Sequence, residues 1–369
     1  MKIPFVDLFS QYKSIQSSID EAIANTIRNT SFIGGKPVKD FEEKFCQLYG
    51  VKNVIACANG TDSLYIIMKM LGIGEGDEVI TVANSWISSS ETITQTGARV
   101  VFVDIDPVYY SMDEAKLVAA ITPKTKAVIA VHLQGQMCDI ETIDEICKKH
   151  NIHLIEDCAQ SHFSEFKGIR AGLRGIASSF SFYPGKNLGA YGDAGCIITN
   201  NDELAMKMRM FANHGALKKH HHQIEGINSR LDGLQAAILS AKLPHILEWT
   251  EARIKNAGLY DKYLSGIKQV IIPQVRPLSK HSYHLYVLRV ERREELIDWL
   301  KKHEIETFIH YPTPLPFLPC YQYLNHKPAD FPISASFQPQ ILSLPLYPEL
   351  SEEMIAYVSE TISKFYLSN

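Results

Sequence analysis

The sequence predicts an α/β protein: a mostly parallel central sheet flanked by helices, followed by a smaller C-terminal α+β domain. Two observations carry that prediction. Short runs that are apolar at nearly every position, as expected of strands buried on both faces, alternate with stretches long enough for crossover helices. In addition, 369 residues exceed what one hydrophobic core usually organises.

Residues 54–58, 78–82, 99–103, 127–131 and 153–156 are the expected strands, and 61–71, 87–96, 113–121 and 140–150 the crossover helices between them. Runs 178–182 and 195–199 flank a Gly-rich segment, 184–195, which reads as a loop or a hairpin connection in a mixed sheet. A helix should follow Asn200 through Phe211, then a polar loop with His220, His221 and His222. The helical region 231–264 is broken or kinked at Pro244. Segment 271–281, with Pro273 and Pro277, is non-helical; a strand at 285–290, a helix at 294–303 and a strand at 306–309 follow. Pro312, Pro314, Pro316 and Pro319 then precede a terminal helix from Ser351. The boundary is expected near 245, giving a large domain 1–245 and a small domain 246–369 on which the N-terminal segment can pack.

Composition narrows the function. Against 41 Asp and Glu stand 37 Lys and Arg, a net charge of −4, with no basic recognition helix, so nucleic acid is not the expected partner. The opening Met1-Lys-Ile-Pro-Phe-Val-Asp-Leu8 lacks a signal-peptide apolar core, and no run approaches the roughly 20 apolar residues of a membrane span. A cytoplasmic protein without a membrane partner is expected. The seven cysteines form no C-x-x-C pair; Cys57, Cys158 and Cys196 sit in or beside strand-like runs, as small buried hydrophobes.

Ligands in open α/β sheets bind beyond the carboxyl ends of the strands, and four segments fall there. Asn59-Gly60-Thr61-Asp62-Ser63 opens a helix directly after a strand: Gly60 admits close backbone approach, and the free N–H groups with the Thr61 hydroxyl make an anion pocket. Taken alone it is equally a simple helix cap at Asn59 or Thr61. Glu156-Asp157 ends another strand, where a carboxylate can meet a metal, a ribose or a protonated heterocyclic nitrogen, and one of such a pair usually serves structure. Ser181-Phe-Tyr-Pro-Gly-Lys186-Asn-Leu-Gly189 places a lysine in a Gly-rich loop with a serine five residues earlier. A lone lysine beside glycine is ordinarily a surface residue, but a buried one loses its proton readily and forms Schiff bases. Trp86, after the strand ending at Val82, is either a core residue or a platform for a flat ring.

Other readings are weaker. The P-loop spacing and the dinucleotide fingerprint G-x-G-x-x-G are absent, which speaks against phosphate-loop and NAD chemistry. His220–His222 lie beside Lys218 and Lys219 with no carboxylate or cysteine at ligand spacing, so no metal site is expected. Asp104 and Asp106 read as structural, and Arg174 as a loop charge.

A phosphate-binding helix start, an aromatic platform, a strand-end aspartate and a downstream Ser-x-x-x-x-Lys are together the parts of a pyridoxal phosphate site. Through Ala58-Asn-Gly-Thr-Asp62, Glu156-Asp-Cys-Ala-Gln-Ser161, Ser181 to Gly189, Asn228-Ser-Arg-Leu-Asp232 and His310-Tyr-Pro-Thr-Pro-Leu315, the chain resembles the DegT/DnrJ/EryC1/StrS nucleotide-sugar aminotransferases of fold type I along essentially its whole length. The resemblance implies that Lys186 binds the cofactor covalently and moves the substrate proton, and that Asp157 keeps the pyridine nitrogen protonated. It implies Gln160 near the phenolic oxygen, Trp86 against the ring, and Gly60, Thr61 and Ser181 on the phosphate. Asn228 would complete the phosphate site of a neighbouring subunit in a homodimer, with Arg230 near the substrate and His310 and Tyr311 on its nucleotide-sugar side. The implied reaction moves an amino group from L-glutamate to a nucleotide-linked keto sugar for surface polysaccharide or glycan synthesis, with C3 ahead of C4 as the keto position. Trp86 replaces the tyrosine of many relatives, and His162-Phe163 stand where small residues are frequent, so pocket detail should differ. The dehydratase branch has histidine in place of the lysine, and Lys186 argues against it.

Overall fold

The computed structural model describes residues 1–367. Its central sheet is made of β1 (Asn53–Cys57), β2 (Glu78–Val82), β3 (Arg99–Val103), β4 (Thr125–Val131), β5 (His153–Asp157), β8 (Ala177–Ser181) and β9 (Gly195–Thr199), while β6 (Glu165–Phe166) and β7 (Ile169–Arg170) form a separate small sheet with Ser279–Lys280. The order is β1-β9-β8-β5-β4-β2-β3. Only β9 runs against its neighbours; β8–β5–β4–β2–β3 are parallel throughout. The expected hairpin-like connection thus exists, and 184–195 is the loop between β8 and β9. Every residue of β2 and β9 is buried, which explains why apolar residues sit at consecutive positions, Val79-Ile80 and Cys196-Ile197-Ile198, and do not alternate with polar ones.

Helices Gly60–Met70, Ser88–Gln95, Glu114–Ala120 and Ile140–His150 occupy the expected crossover positions. Pro244 ends a helix, Gly233–Lys242, through a single 3-10 turn, and a second helix, Ile246–Leu264, continues. Three helices precede β1, at Leu8–Ser14, Gln16–Arg28 and Gly35–Tyr49.

Two hydrophobic clusters form. The larger surrounds the central sheet; the smaller gathers Tyr260 and Leu264, Tyr286 and Leu288, Leu342 and Leu344, Ile355 and Ile362, and also Ile3 from the chain start. A second, antiparallel sheet of Val270–Ile271, Tyr286–Val290 and Ile341–Leu344 lies in this region. Segment 315–337 crosses back, placing Leu315, Tyr321, Phe331 and Phe337 in the larger cluster.

One expected element is corrected: 306–309 is not a strand. Glu306 N–H donates to Ile3, whereas Phe308 pairs with Ser343, so the backbone changes partner within two residues and no ladder builds. His221–His222 pair with Ala216–Lys218 in an exposed hairpin. Among the described residues no helix is long and apolar enough to cross a membrane.

Candidate active site

The carboxyl ends of β1, β2, β5 and β8 lie at one edge of the sheet, and the turns that follow them line a cavity of about 660 Å³. On its wall are Gly60, Thr61, Trp86, Asp157, Gln160, Ser181, Lys186, His310 and Tyr311. Segments as far apart as Gly60 and Tyr311 are thereby brought together.

The anion end is the start of helix Gly60–Met70. Asn59 caps it by accepting from Asp62 N–H at 2.7 Å, an interaction typically worth about 1 kcal/mol, and Asp62 complements the helix dipole. The cap and the pocket coexist, because Gly60 and Thr61 still face the cavity. Thr61 Oγ1 and Ser88 Oγ are 2.7 Å apart, and Ser181 stands opposite. A Cβ on Gly60 would lie 2.7 Å from Ser181 Cβ, so only glycine permits this approach of helix start and strand end.

Glu156 and Asp157 point to opposite faces of β5, as adjacent strand residues must. Glu156 is fully buried: its oxygens accept from the N–H groups of Gly172, Arg174 and Gly175 and from His132 Nε2 at 2.8 Å. His132 Nδ1 accepts from Cys138 N–H, which leaves the Nε2 proton for Glu156. Glu156 is therefore the structural member of the pair. Asp157 faces the cavity; burial lifts its carboxyl above the ordinary value, opposed by Ala159 N–H and the charge of Lys186. A desolvated carboxylate of this kind calls for a cationic partner.

Lys186 sits in a tightly braced turn. Its N–H donates to Tyr183, Ala190 N–H reaches back to Phe182, and a Cβ on Gly189 would lie 2.2 Å from the Pro184 carbonyl oxygen. Asn187 donates to the Ser282 carbonyl and contacts His284 Nδ1. Fully buried Lys242 donates to the Gly189 carbonyl at 2.7 Å and to Gln11. Within this frame the Lys186 amine has no hydrogen-bond partner among the described residues. Desolvation pulls its pKa down to about 8, with Asp157 acting in the opposite direction.

Gln160 is oriented at both ends, accepting from Gln134 N–H at 2.7 Å and donating to the Tyr311 hydroxyl at 2.9 Å. Trp86 is a wall of the cavity, 57% exposed, and not a core residue; its ring lies 5.6 Å from that of Tyr311. His310 donates to or accepts from Ser343 Oγ at 2.8 Å. His162 lies against Phe180 and Phe182 with both ring nitrogens unpartnered, and burial holds it neutral with a pKa of about 3.

Two expected residues lie elsewhere. Arg230 lines a second cavity of about 240 Å³ with Glu42 and Arg209, and Asn228 pairs through its backbone with Asn213. Asp104 is structural, accepting from the N–H groups of Ile333 and Ser334. Sequence reasoning missed Phe5, Val6, Arg253, His284 and Phe308, all on the cavity wall. Arg253 had a signal: it interrupts the buried stripe Trp249, Ala257, Tyr260 and Leu264 at helical spacing. Its Nη1 reaches the carbonyls of Tyr283, His284 and Leu346.

A cavity at the carboxyl edge of a mostly parallel sheet, with an anion-binding helix start, a desolvated carboxylate and an unpartnered low-pKa lysine, defines an enzyme that handles amines through a phosphorylated heterocycle. The chain matches the DegT/DnrJ/EryC1/StrS aminotransferase family over residues 13–363 and belongs to it. It is 43% identical over 368 residues to a Geobacillus stearothermophilus protein called a pleiotropic regulatory protein (99% of each chain). It is 40% identical to the UDP-2-acetamido-2-deoxy-3-oxo-D-glucuronate aminotransferase of Pseudomonas aeruginosa (98% of this chain, 99% of the relative). The structure of S. venezuelae DesV with a ketimine intermediate superposes with a TM-score of 0.96 at 35% identity (99% and 98% of the two chains). That of NtdA from Bacillus subtilis with the cofactor PMP does so at 0.89 and 28% (98% and 85%).

Proposed function

We propose that this protein is a pyridoxal 5′-phosphate-dependent aminotransferase that moves an amino group from L-glutamate to C3 of a nucleotide-linked 3-keto hexose. The observation that carries the reading is the juxtaposition of Lys186, desolvated and without a partner, with Asp157 across a cavity that ends in an anion-binding helix start. Relatives that act on 3-keto nucleotide sugars, and structures holding the cofactor's amine form, support it.

The residues fit the cofactor. Gly60, Thr61 and Ser181 would hold its phosphate, Asp157 its ring nitrogen, Gln160 its phenolic oxygen and Trp86 its face. When bound, the group supplies an electron sink that lets a proton leave the carbon bearing nitrogen. Asp157, ionised beside a cation, holds the ring-nitrogen proton in place. Lys186 takes the proton at its Nζ and returns it to the neighbouring carbon; a pKa of about 8 keeps an appreciable neutral fraction near pH 7. Lys186 would also be the residue that holds the group covalently between turnovers. His310 and Tyr311 would orient the sugar.

Asn228 and Arg230 lie outside the Lys186 cavity, which suits a homodimer in which each reaches the site of the other subunit. Mixed Lys186→Ala and Asn228→Ala subunits should then regain some activity. A large domain 1–245 and a small domain 246–369 are the proposed division, with Ile3 packing on the small domain and 315–337 on the large one, and the cytoplasm is the fitting location for an enzyme of sugar nucleotides used in lipopolysaccharide or related glycans.

The test is incubation with glutamate and a matched pair of 3-keto and 4-keto nucleotide hexoses, read by mass spectrometry. An amino sugar from the 3-keto compound is expected. Product from the 4-keto compound alone would overturn the regiochemistry, and no product from any keto sugar would overturn the reading. Salt-sensitive DNA retardation without transamination would favour a regulator.

A further inference from the structure

Five aromatic rings form a continuous track along the cavity. Trp86 lies 5.6 Å from Tyr311, Tyr311 5.4 Å from His310, His310 5.7 Å from Phe5 in a stacked arrangement, and Phe5 4.8 Å from Phe308 edge to face. All five line the same cavity as Lys186. Tyr311 is fixed by the hydrogen bond from Gln160, and both ends of the track reach solvent, Trp86 being 57% and Phe308 54% exposed.

Phe5 belongs to this wall although 181 positions separate it from Lys186 in the chain. Three backbone contacts hold it there: Ile3 N–H donates to Glu304, Glu306 N–H donates to Ile3, and Phe5 N–H donates to the Glu306 carboxylate at 3.0 Å. The arm is thus stitched to the segment that carries Phe308 and His310. Val6 extends the apolar surface beside it.

This surface discriminates between the two substrates of the proposed reaction. An amino acid donor presents two carboxylates, which require cations, and an aromatic face offers none. A hexose presents a face of C–H groups, which packs well on an aromatic ring, much as apolar groups do. Position agrees with chemistry. Lys186, His310 and Phe5 line one cavity, with His310 and Phe5 5.7 Å apart, so a hexose whose keto carbon is held at Lys186 would have its ring within reach of this pair. Beyond it the linkage to the nucleotide would lead out to solvent.

Resting on the aminotransferase reading above, we propose that Phe5 of the N-terminal arm is a specificity-determining residue whose ring packs against the C–H face of the hexose, and contributes to neither the glutamate step nor nucleotide binding. The holoenzyme separates these three. In Phe5→Ala, KM for the nucleotide-linked 3-keto hexose should rise about tenfold, and the amino-sugar nucleotide should bind about tenfold more weakly by calorimetry. Phe5→Leu, which keeps the packing volume, should show a smaller change in the same sense. Binding of free UDP or dTDP, which lack the hexose, and the glutamate half-reaction, followed by cofactor absorbance, should stay within about twofold. Unchanged amino-sugar-nucleotide affinity in both variants would overturn the proposal. An equal loss for free UDP or dTDP would move the contact to the nucleoside, and an equal slowing with glutamate would reduce Phe5 to a structural strut. Failure of the parent enzyme to convert any nucleotide sugar is a separate outcome, which strikes the parent reading before the variants are compared.

Discussion

The two sides of the cavity are built differently. The inner side is made of three short turns, 59–63, 157–160 and 181–189, each following a strand of one sheet and each braced by its own local bonds. The outer wall is assembled from distant pieces: the N-terminal arm at Phe5, helix Ile246–Leu264 at Arg253, and segment 308–311. The sheet fixes where the inner turns meet, since adjacent parallel strands bring their carboxyl ends to one edge. The outer wall depends on tertiary packing alone. Chemistry common to a family of enzymes sits naturally on the first, and choice of substrate on the second.

That contrast can be broken most sharply within β5. Asp157→Ala should cut turnover by at least about 10³-fold while the stability of the cofactor-free protein changes by no more than about 1 kcal/mol, because among the described residues the Asp157 carboxylate accepts a hydrogen bond only from Ala159 N–H. Glu156→Ala, one residue away, should do the reverse in the first instance. It leaves His132 and three N–H groups unpaired in the core and should cost about 3–5 kcal/mol of unfolding free energy. Urea unfolding and steady-state assays of both variants decide it; a Glu156→Ala protein as stable as the parent would contradict the assignment.

A smaller effect concerns Lys186. Its folded-state pKa, about 8, lies below the 10.5 of an unperturbed lysine. The unfolded chain therefore binds more protons, and stability of the cofactor-free protein rises with pH between about 8 and 10.5; the penalty is fully present below 8 and absent above 10.5. Lys186→Met should raise stability at pH 7 by about 1–3 kcal/mol and flatten this part of the pH profile. Thermal unfolding of both proteins across pH 7–10.5 measures it, and a parent profile that falls with pH would contradict it.

The smallest expected change is at the anion end. Gly60→Ala forces a Cβ against Ser181, and should weaken capture of the phosphorylated cofactor by about tenfold while leaving the helix cap at Asn59 intact. Fluorescence titration of the cofactor-free protein reads this directly, and unaltered affinity would show the close approach to be dispensable.

The inner side was legible in the sequence because each turn is contiguous with the strand that places it. Asn59 to Ser63, Asp157 and Lys186 are each weak signals alone, but their combination and the family resemblance single them out, and the fold brings Asn59, Asp157 and Lys186 to one cavity. Even the expectation that one of Glu156 and Asp157 serves structure follows from alternation along a strand; the resemblance points to Asp157 for the cofactor, and Gly172, Arg174 and Gly175 fold over Glu156. The outer wall was not legible, since nothing near Phe5 in the sequence announces His310. The same cause misplaced 306–309: its apolar spacing is strand-like, but its backbone partners, Ile3 and Ser343, come from opposite ends of the chain. The helices before β1 went unread for lack of a flanking strand pattern.

The proposed chemistry stands or falls on Lys186 carrying the cofactor. Borohydride reduction of the yellow holoenzyme, followed by digestion and peptide mapping, tests it most directly. The pyridoxyl group should be found on the peptide containing Lys186, and Lys186→Ala should bind the cofactor without a reducible bond and without turnover. A pyridoxyl group on Lys242 or any other lysine, or a reducible bond that survives in Lys186→Ala, would contradict the site as described.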